Sequence, residues 1–192
     1  MWHGGLLSKL KAIGIRGRLL RWFGDYLSRR TQAVVIKGEK SDFREVSAGV
    51  PQGSVLGPLL FLVYINDIVT NIMSVIRLFA DDTSLSSALE NSDTRTETLN
   101  RDLNTINNWA KRWKMNFNVD KTEVVNYGRE RNNGQQVVFD DADLSESDSH
   151  KHLGLILQFN GKWEEYINYI ANKTNVLISC LCREIAFHHI CE

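Results

Sequence analysis

The stretch that most constrains the fold is residues 75–85 (VIRLFADDTSL), in which an apolar run reaches two adjacent carboxylates and then enters a second β-prone run. This pattern predicts a β-hairpin with Asp81 and Asp82 at its turn. Two carboxylates about 4 Å apart repel each other by roughly 4 kcal/mol at an effective dielectric near 20. A hard divalent cation, which prefers oxygen ligands, would offset that repulsion. A solvated Asp-Asp turn is the alternative for these two residues taken alone.

A second unusual stretch is residues 49–58 (GVPQGSVLGP), which contains three glycines and two prolines. Glycines let a backbone approach a ligand closely, and a glycine-rich loop that leads into a helix N-terminus suits a phosphate or a nucleotide. Pro58 fits the start of the next helix, which we predict from Leu59 to about Ile72 and expect to be buried because it is apolar on nearly all sides. A plain tight connection is the alternative for this loop.

Composition and charge narrow the class of protein. The chain has 192 residues, zero formal net charge, 43% hydrophobic and 24% charged residues, which is typical of a globular protein of one or two domains. Residues 1–45 nevertheless carry ten Lys or Arg and four acids, which fits either a phosphate-contacting surface or a solvated helix face. The longest apolar run ends before Asn66, so no membrane span is predicted. Three cysteines crowded after residue 179 predict no disulfide framework, and with no signal peptide expected we predict an intracellular location, nucleus or cytoplasm.

Hydrophobic periodicity predicts the remaining elements. Apolar residues at helical spacing predict helices over residues 6–13, 17–28, 94–115 and 163–187. Alternating and β-branched runs predict strands over residues 31–37, 43–47, 123–127, 137–139 and 152–157. The first two strands are predicted to form a hairpin whose polar turn covers residues 38–41. Residues 129–134 are predicted to form a polar turn, and residues 140–149 an acidic loop. This mixture of helices and strands predicts an α+β fold.

Several of these segments, taken in order, closely resemble the reverse transcriptases of non-LTR (LINE-type, jockey-like) retrotransposons. The segments are residues 49–58, Phe79-Ala80-Asp81-Asp82, Lys121-Thr122 and His152-Leu153-Gly154. The resemblance implies a partial right-hand polymerase, with an antiparallel palm sheet packed on helices, part of the fingers and the start of a helical thumb. The implied domains are residues 1–48 (fingers and palm helices with a hairpin), 49–160 (palm) and 161–192 (start of the thumb helix).

The resemblance also implies roles for individual residues. Asp81 matches the family's metal-binding carboxylate, and Asp82 matches its neighbour, whose metal contact is weaker. Lys121 matches a lysine near the leaving pyrophosphate, with a plain surface lysine as the alternative. The nucleotide- and template-binding positions are Pro51, Gln52, Gly53, Ser54, Phe79 (Tyr in many relatives) and Ala80, and the primer grip is His152, Leu153 and Gly154. The implied cofactor is two Mg²⁺ ions, and the implied partners are an RNA template, a DNA primer and a dNTP.

One feature of the family pattern is not found in these residues. Relatives carry another metal-binding aspartate on a strand ahead of the helix that begins near Leu6. The acids before Gly49 are Asp25, Glu39, Asp42 and Glu45, and none of them ends an apolar strand. We therefore expect a reverse-transcriptase fragment from a mobile element with little or no polymerase activity of its own.

Two other functions stay open from the sequence. The first is a nucleic-acid-binding remnant without catalysis, which would use the basic N-terminal residues and the last helix. The second is a zinc-binding tail, whose residues would be Cys180, Cys182, His188, His189 and Cys191. The oligomeric state is not predicted.

Overall fold

The computed structural model describes residues 1–88, 92–127 and 136–190, with side chains described as far as Leu181. The helices in these residues are α1 (His3–Ala12), α2 (Gly17–Leu27), α3 (Leu56–Ile65), α4 (Ser92–Trp113) and α5 (Glu164–Ile190), with 3₁₀ turns at Asn66–Val69 and Val119–Lys121. The strands are β1 (Thr31–Gln32), β2 (Val35–Ile36), β3 (Glu39–Lys40), β4 (Arg44–Glu45), β5 (Val75–Phe79), β6 (Asp82–Ser86), β7 (Glu123–Val124), β8 (Val138–Phe139), β9 (Ala142–Asp143), β10 (Ser145–Glu146), β11 (Ser149–His152) and β12 (Leu155–Gln158). This mixture of helices and strands agrees with the predicted α+β class.

The chain divides into two compact units. The first comprises Met1–Val119 with Val138–Ala142, and the second comprises Asp120–Val137 with Asp143–Glu192. The domain limits implied by the resemblance, at residues 48 and 160, stay a prediction. In the described part of the chain, no helix combines the length and the apolar character that crossing a bilayer requires.

The core of the first unit is built by α1, α2 and α3. Its buried residues come in pairs four positions apart, one pair on each helix: Leu6 and Leu10, Phe23 and Leu27, Leu60 and Tyr64. Residues at this spacing lie on one face of a helix, so each helix buries a single apolar stripe. On α4, Ile106 and Ala110 are also buried.

Helix α3 differs from its prediction in two ways. It begins at Leu56, so Pro58 lies inside the first turn, where a missing N–H removes no helical hydrogen bond. Helical structure ends with the 3₁₀ turn at Val69 and does not reach residue 72. The expectation that the whole helix is buried was wrong, because Leu59 and Leu62 are more than half exposed while Leu60 is buried.

Two hairpins of the first unit follow the predicted order. Strands β5 and β6 pair antiparallel with Phe79 opposite Asp82, which leaves Ala80 and Asp81 as the two turn residues and confirms the predicted hairpin. The hairpin predicted over residues 31–47 forms two short ladders, β1 with β4 and β2 with β3. Its turn lies at residues 37–38, where Lys37 and Gly38 both have positive φ, and not over residues 38–41 as predicted.

The second unit contains short strands and one long helix. Strands β7 and β10 pair in parallel, and β11 and β12 form an antiparallel hairpin. Residues 152–157 are therefore not one strand, because Leu153 and Gly154 form a turn with positive φ. The predicted acidic loop at 140–149 contains strands β9 and β10. The polar turn predicted at 129–134 lies outside the described residues.

Candidate catalytic hairpin and nucleotide loop

The β5–β6 hairpin presents its two acids at an exposed turn. Asp81 is the second turn residue, and Asp82 is the first residue of β6. Both are exposed, and among the described residues neither carboxylate has a hydrogen-bond or ion-pair partner. Ala80 has φ +50°, a left-handed conformation that glycine adopts more readily than alanine. The local backbone is therefore slightly strained at the point where two unpartnered carboxylates are presented.

A second Asp-Asp pair in the chain provides a contrast. Asp140 and Asp141 have positive φ, as Ala80 has at the other pair, but the Asp140 carboxylate accepts hydrogen bonds from Lys111 Nζ and Asn107 Nδ2, both at 3.0 Å. These two bonds, above all the one from Lys111, lower the pKa of Asp140. The sequence alone does not separate the two pairs, whereas the structure shows that the charge of Asp140 is already compensated.

The hairpin is held at its base by Asp102, a residue of α4 whose role no sequence pattern indicates. Its fully buried side chain accepts hydrogen bonds from the backbone N–H groups of Met73 (3.0 Å) and Ser74 (2.6 Å), directly before β5, and from Arg101 Nη2 (2.7 Å). Burial raises the pKa of Asp102, but the bonds from Arg101, Ser74 and Met73 together lower it by more. An ionised Asp102 therefore links α4 to the strand that leads to the acidic turn.

The loop at residues 49–58 is closed by its own hydrogen bonds. Ser54 Oγ donates to the Pro51 carbonyl (2.6 Å) and accepts from the Gly57 N–H (3.0 Å). A Cβ added at Gly57 would lie 3.1 Å from both oxygens, closer than nine in ten Cβ contacts in proteins, so a side chain there would require the bridge to shift by a few tenths of an ångström. Gln52 and Gly53 are left at the exposed tip. Ser54 is thus a structural residue of the loop, whatever else it contacts.

The start of this loop is fixed by the first residues of the chain. The Gly49 N–H donates to the Met1 carbonyl at 2.8 Å, and Trp2 forms an isolated β-bridge with Ala48. His3 Nε2 lies 2.8 Å from the Gly49 carbonyl oxygen. A carbonyl can only accept, so this ring nitrogen carries the hydrogen and donates it. The loop is therefore tied at Gly49 and again at its Ser54 bridge.

A buried lysine joins the helices that support these elements. Lys9 on α1 is 6% exposed, and its ammonium donates to the Tyr64 carbonyl and to the Asp67 carboxylate. The same ammonium lies 3.9 Å from the ring centroid of Trp113 and 4.8 Å from that of Trp109, which itself donates to Asp67 (2.8 Å). Burial lowers the pKa of Lys9, and the partnership with Asp67 opposes that shift. Lys9 is one of the ten cations of residues 1–45, and no local sequence pattern signals its burial.

The remaining predicted site residues lie in the second unit. Lys121 is exposed at the end of a 3₁₀ turn. His152, Leu153 and Gly154 come together at the turn of the β11–β12 hairpin. Two links join this hairpin to α5: Gln158 accepts from the Glu165 N–H (3.2 Å), and Lys151 Nζ donates to Tyr169 Oη (2.9 Å).

The described residues contain no group of three or more His, Cys, Asp or Glu side chains arranged to hold a metal ion. Of the proposed zinc tail, Cys180 is exposed. The other tail residues, Cys182, His188, His189 and Cys191, lie outside the described side chains. Because no third His, Cys, Asp or Glu joins Asp81 and Asp82 in the described residues, a metal ion at the hairpin would need further ligands besides these two carboxylates.

Comparison with known proteins places the chain in a family. Residues 1–157 match the profile of the family described as "Reverse transcriptase (RNA-dependent DNA polymerase)". The chain belongs to the reverse transcriptase family, as its motifs predicted. It is similar to the RNA-directed DNA polymerase from mobile element jockey of Drosophila melanogaster, with 29% identity over 178 residues that make up 88% of this chain and 19% of the relative. The protein of the same description from Drosophila funebris is 27% identical over 93% of this chain and 20% of its own length. The chain thus spans about a fifth of the length of the curated relatives it matches.

Proposed function

We propose that this chain is part of the catalytic centre of a non-LTR retrotransposon's RNA-directed DNA polymerase, with Asp81 and Asp82 as metal-binding carboxylates. The observation that carries the proposal is a pair of exposed acids at a tight hairpin turn, without a partner among the described residues, in a chain of the reverse transcriptase family. Adjacent carboxylates without a compensating cation repel each other, so this turn is better suited to a bound metal than to solvent alone.

The donors at the hairpin fit Mg²⁺. Magnesium binds through one or two carboxylates and completes its shell with waters and substrate phosphates, so two acids are sufficient to bind one ion, although not to complete a two-metal centre. When bound, Mg²⁺ supplies activation of a primer 3′-hydroxyl and charge stabilisation on the leaving pyrophosphate. Within this proposal the chain's own residues orient the reactants and hold the ligand oxygens in place.

The other predicted site residues take supporting roles in the proposal. Pro51, Gln52 and Gly53 support the template base and the incoming nucleotide, and the Ser54 bridge keeps that tip in one shape. Lys121 provides a cation for the charge that develops on the pyrophosphate. His152, Leu153 and Gly154 hold the primer end, and Phe79 and Ala80, beside the acids on the hairpin, contribute to the nucleotide- and template-binding surface.

The metal site can be tested without catalysis. Mn²⁺ titrated into the chain in the presence of a dNTP, and followed by electron paramagnetic resonance of the free ion, should show binding that the double variant D81N/D82N loses. The matched control is D140N/D141N, which removes the same charge from the other Asp-Asp pair and should retain that binding because Asp140 is engaged by Lys111. Equal Mn²⁺ binding by the wild-type chain and D81N/D82N would refute the assignment.

We further propose that the 192-residue chain by itself does not extend a primer. None of the acids ahead of Gly49 lies at the end of an apolar strand, so no third carboxylate within these residues is placed to complete a two-metal site. Displacement of a reacting group by about 1 Å can reduce the rate about 100-fold. Primer extension on an RNA template with Mg²⁺ should therefore give no product above background. Robust synthesis that Asp81→Ala abolishes would show this expectation to be wrong.

The N-terminal charge excess favours a second candidate, a nucleic-acid-binding chain without catalysis. Ten basic and four acidic residues precede Ser47. In that case RNA binding would fall steeply with salt and would be unaffected by Asp81→Ala. The catalytic proposal instead requires that Mg²⁺ and a dNTP strengthen primer–template binding in the wild-type chain more than in D81N/D82N.

A further inference from the structure

Helix α2 exposes a face that the catalytic proposal does not use. Arg18, Arg21, Trp22 and Asp25 are spaced by three, four and seven positions, so they lie on one side of the helix, and we call them the α2 face. All four are exposed, whereas Phe23 and Leu27 on the opposite side are in the core. The orientation of this face is therefore fixed by the packing of α2.

The α2 face and its flanking residues are strongly basic. Residues 11–30 contain six basic side chains (Lys11, Arg16, Arg18, Arg21, Arg29 and Arg30) and one acidic side chain, Asp25. Among the described residues, no carboxylate lies within ion-pair distance of Arg18 or Arg21. Unpaired guanidinium groups on a rigid helix favour a partner with regularly spaced negative charges, such as a phosphodiester chain.

The α2 face also carries an aromatic platform. The indole of Trp22 is 48% exposed and stacks on the ring of Tyr26, with centroids 5.4 Å apart and planes 14° from parallel. The buried ring of Phe23 meets the same indole edge-on at 5.1 Å. Trp22 is thus held in place from two sides and retains an open side. The exposed side of this fixed indole offers a flat apolar surface on which an unpaired base can stack.

We propose that the α2 face binds single-stranded nucleic acid, with Arg18 and Arg21 contacting phosphates and Trp22 stacking on an unpaired base. The inference rests on the second candidate function, nucleic-acid binding by the N-terminal cations, and locates that binding on α2. It does not require the metal site at Asp81 and Asp82. RNA and DNA single strands present the same phosphates and base faces, so both should bind. A duplex should bind less tightly, because its bases are already stacked on each other.

The experiment is fluorescence anisotropy of labelled oligouridine, oligodeoxythymidine and an RNA duplex with the full chain, in EDTA and over a series of salt concentrations. Removing two phosphate contacts should reduce the slope of log affinity against log salt for R18A/R21A by about 1.4. W22A should bind about tenfold more weakly with its salt slope unchanged, because stacking releases no counterions. W22F should retain most of the affinity, and D25N should bind more tightly.

The matched control is K111A, which removes one positive charge that is already compensated by Asp140 and should bind as the wild type does. An unchanged salt slope for R18A/R21A would overturn the inference, and so would duplex binding as tight as single-strand binding. Binding to phosphatidylserine vesicles without binding to either oligonucleotide would also overturn it. Because EDTA removes divalent metal, failure here would leave the Mn²⁺ test of Asp81 and Asp82 untouched, and failure of that test would leave this inference untouched.

Discussion

Removing the Asp102 carboxylate should loosen the hairpin that carries the proposed metal ligands. Asp102→Ala leaves the N–H groups of Met73 and Ser74 without their acceptor. A buried donor left unsatisfied costs about 1–3 kcal/mol. Allowing for partial access of water to this position once the carboxylate is gone, we expect a loss of about 3 kcal/mol in the free energy of unfolding. For a chain of this size that corresponds to a fall in Tm of about 9 °C.

The variant Asp102→Asn separates the charge from the hydrogen bonds. Both backbone N–H groups donate to the same oxygen, Oδ2, so the amide oxygen of Asn can replace it, with only the ion pair to the half-exposed Arg101 lost. We expect a loss of about 1 kcal/mol, since a pair with an exposed partner contributes little. Glu97→Ala, an exposed acid on the same helix, is the control and should stay within about 0.5 kcal/mol of the wild type.

The assay is urea unfolding followed by circular dichroism, together with hydrogen exchange of the amides in β5. Exchange of Val75–Phe79 should accelerate most in Asp102→Ala, less in Asp102→Asn, and not at all in Glu97→Ala. If Asp102→Ala unfolds at the wild-type urea concentration, or if the Asn and Ala variants lose the same free energy, the backbone bonds to Asp102 do not hold the hairpin. The reasoning from buried acceptors would then be refuted.

Three further predictions concern the supporting contacts. Folding lowers the pKa of Asp102, so the ionised side chain stabilises the fold fully above the ordinary value of 3.8. That contribution is lost as pH falls through the lower pKa of the folded state. In an acid titration, the free energy of unfolding should therefore fall more steeply below pH 3.8 in the wild type than in Asp102→Asn. Lys9→Met should reduce the free energy of unfolding by about 2 kcal/mol, less than for a fully buried ion pair because the Asp67 side chain is 45% exposed. In a double-mutant cycle measured by urea unfolding, the double variant with Asp67→Asn should lose less free energy than the sum of the two single variants. His3→Ala should accelerate hydrogen exchange of the backbone amides of residues 49–57. His3→Gln can present an N–H at the position of Nε2 and should restore the protection of Gly49. Equal exchange rates in the two variants would contradict the assigned hydrogen bond.

The hairpin could be predicted from sequence because its signal is local. Residues 75–86 combine two β-prone runs with a short polar turn, and such a turn needs no partner from elsewhere in the chain. The same holds for α2, whose apolar spacing at Leu20, Phe23 and Leu27 is read directly. The turn inside residues 152–157 is not predicted by their β-prone pattern, because leucine at position 153 gives no turn signal, yet it adopts φ +49° before Gly154.

The residues that hold the candidate site in place could not be predicted, because their roles depend on distant partners. Lys9 and Asp102 carry charges that a sequence pattern assigns to solvent, yet Lys9 contacts Asp67, 58 positions away, and Asp102 contacts Ser74, 28 positions away. Burial of a charge is decided by whether such partners exist, and tertiary structure alone supplies them. The site roles of the acids themselves were carried over from the family resemblance and stay predictions.

The small β-arm formed by residues 31–45 has a consequence for how this lineage can diverge. Each residue in its four strands is exposed, and its two ladders are antiparallel pairs held together by backbone hydrogen bonds. Packing therefore places almost no constraint on which side chains it carries or on how long it is. Insertions and deletions should accumulate at Lys37-Gly38 at little thermodynamic cost. Variation in this arm among related retrotransposons would therefore reflect their ancestry, and not selection for a function of the arm.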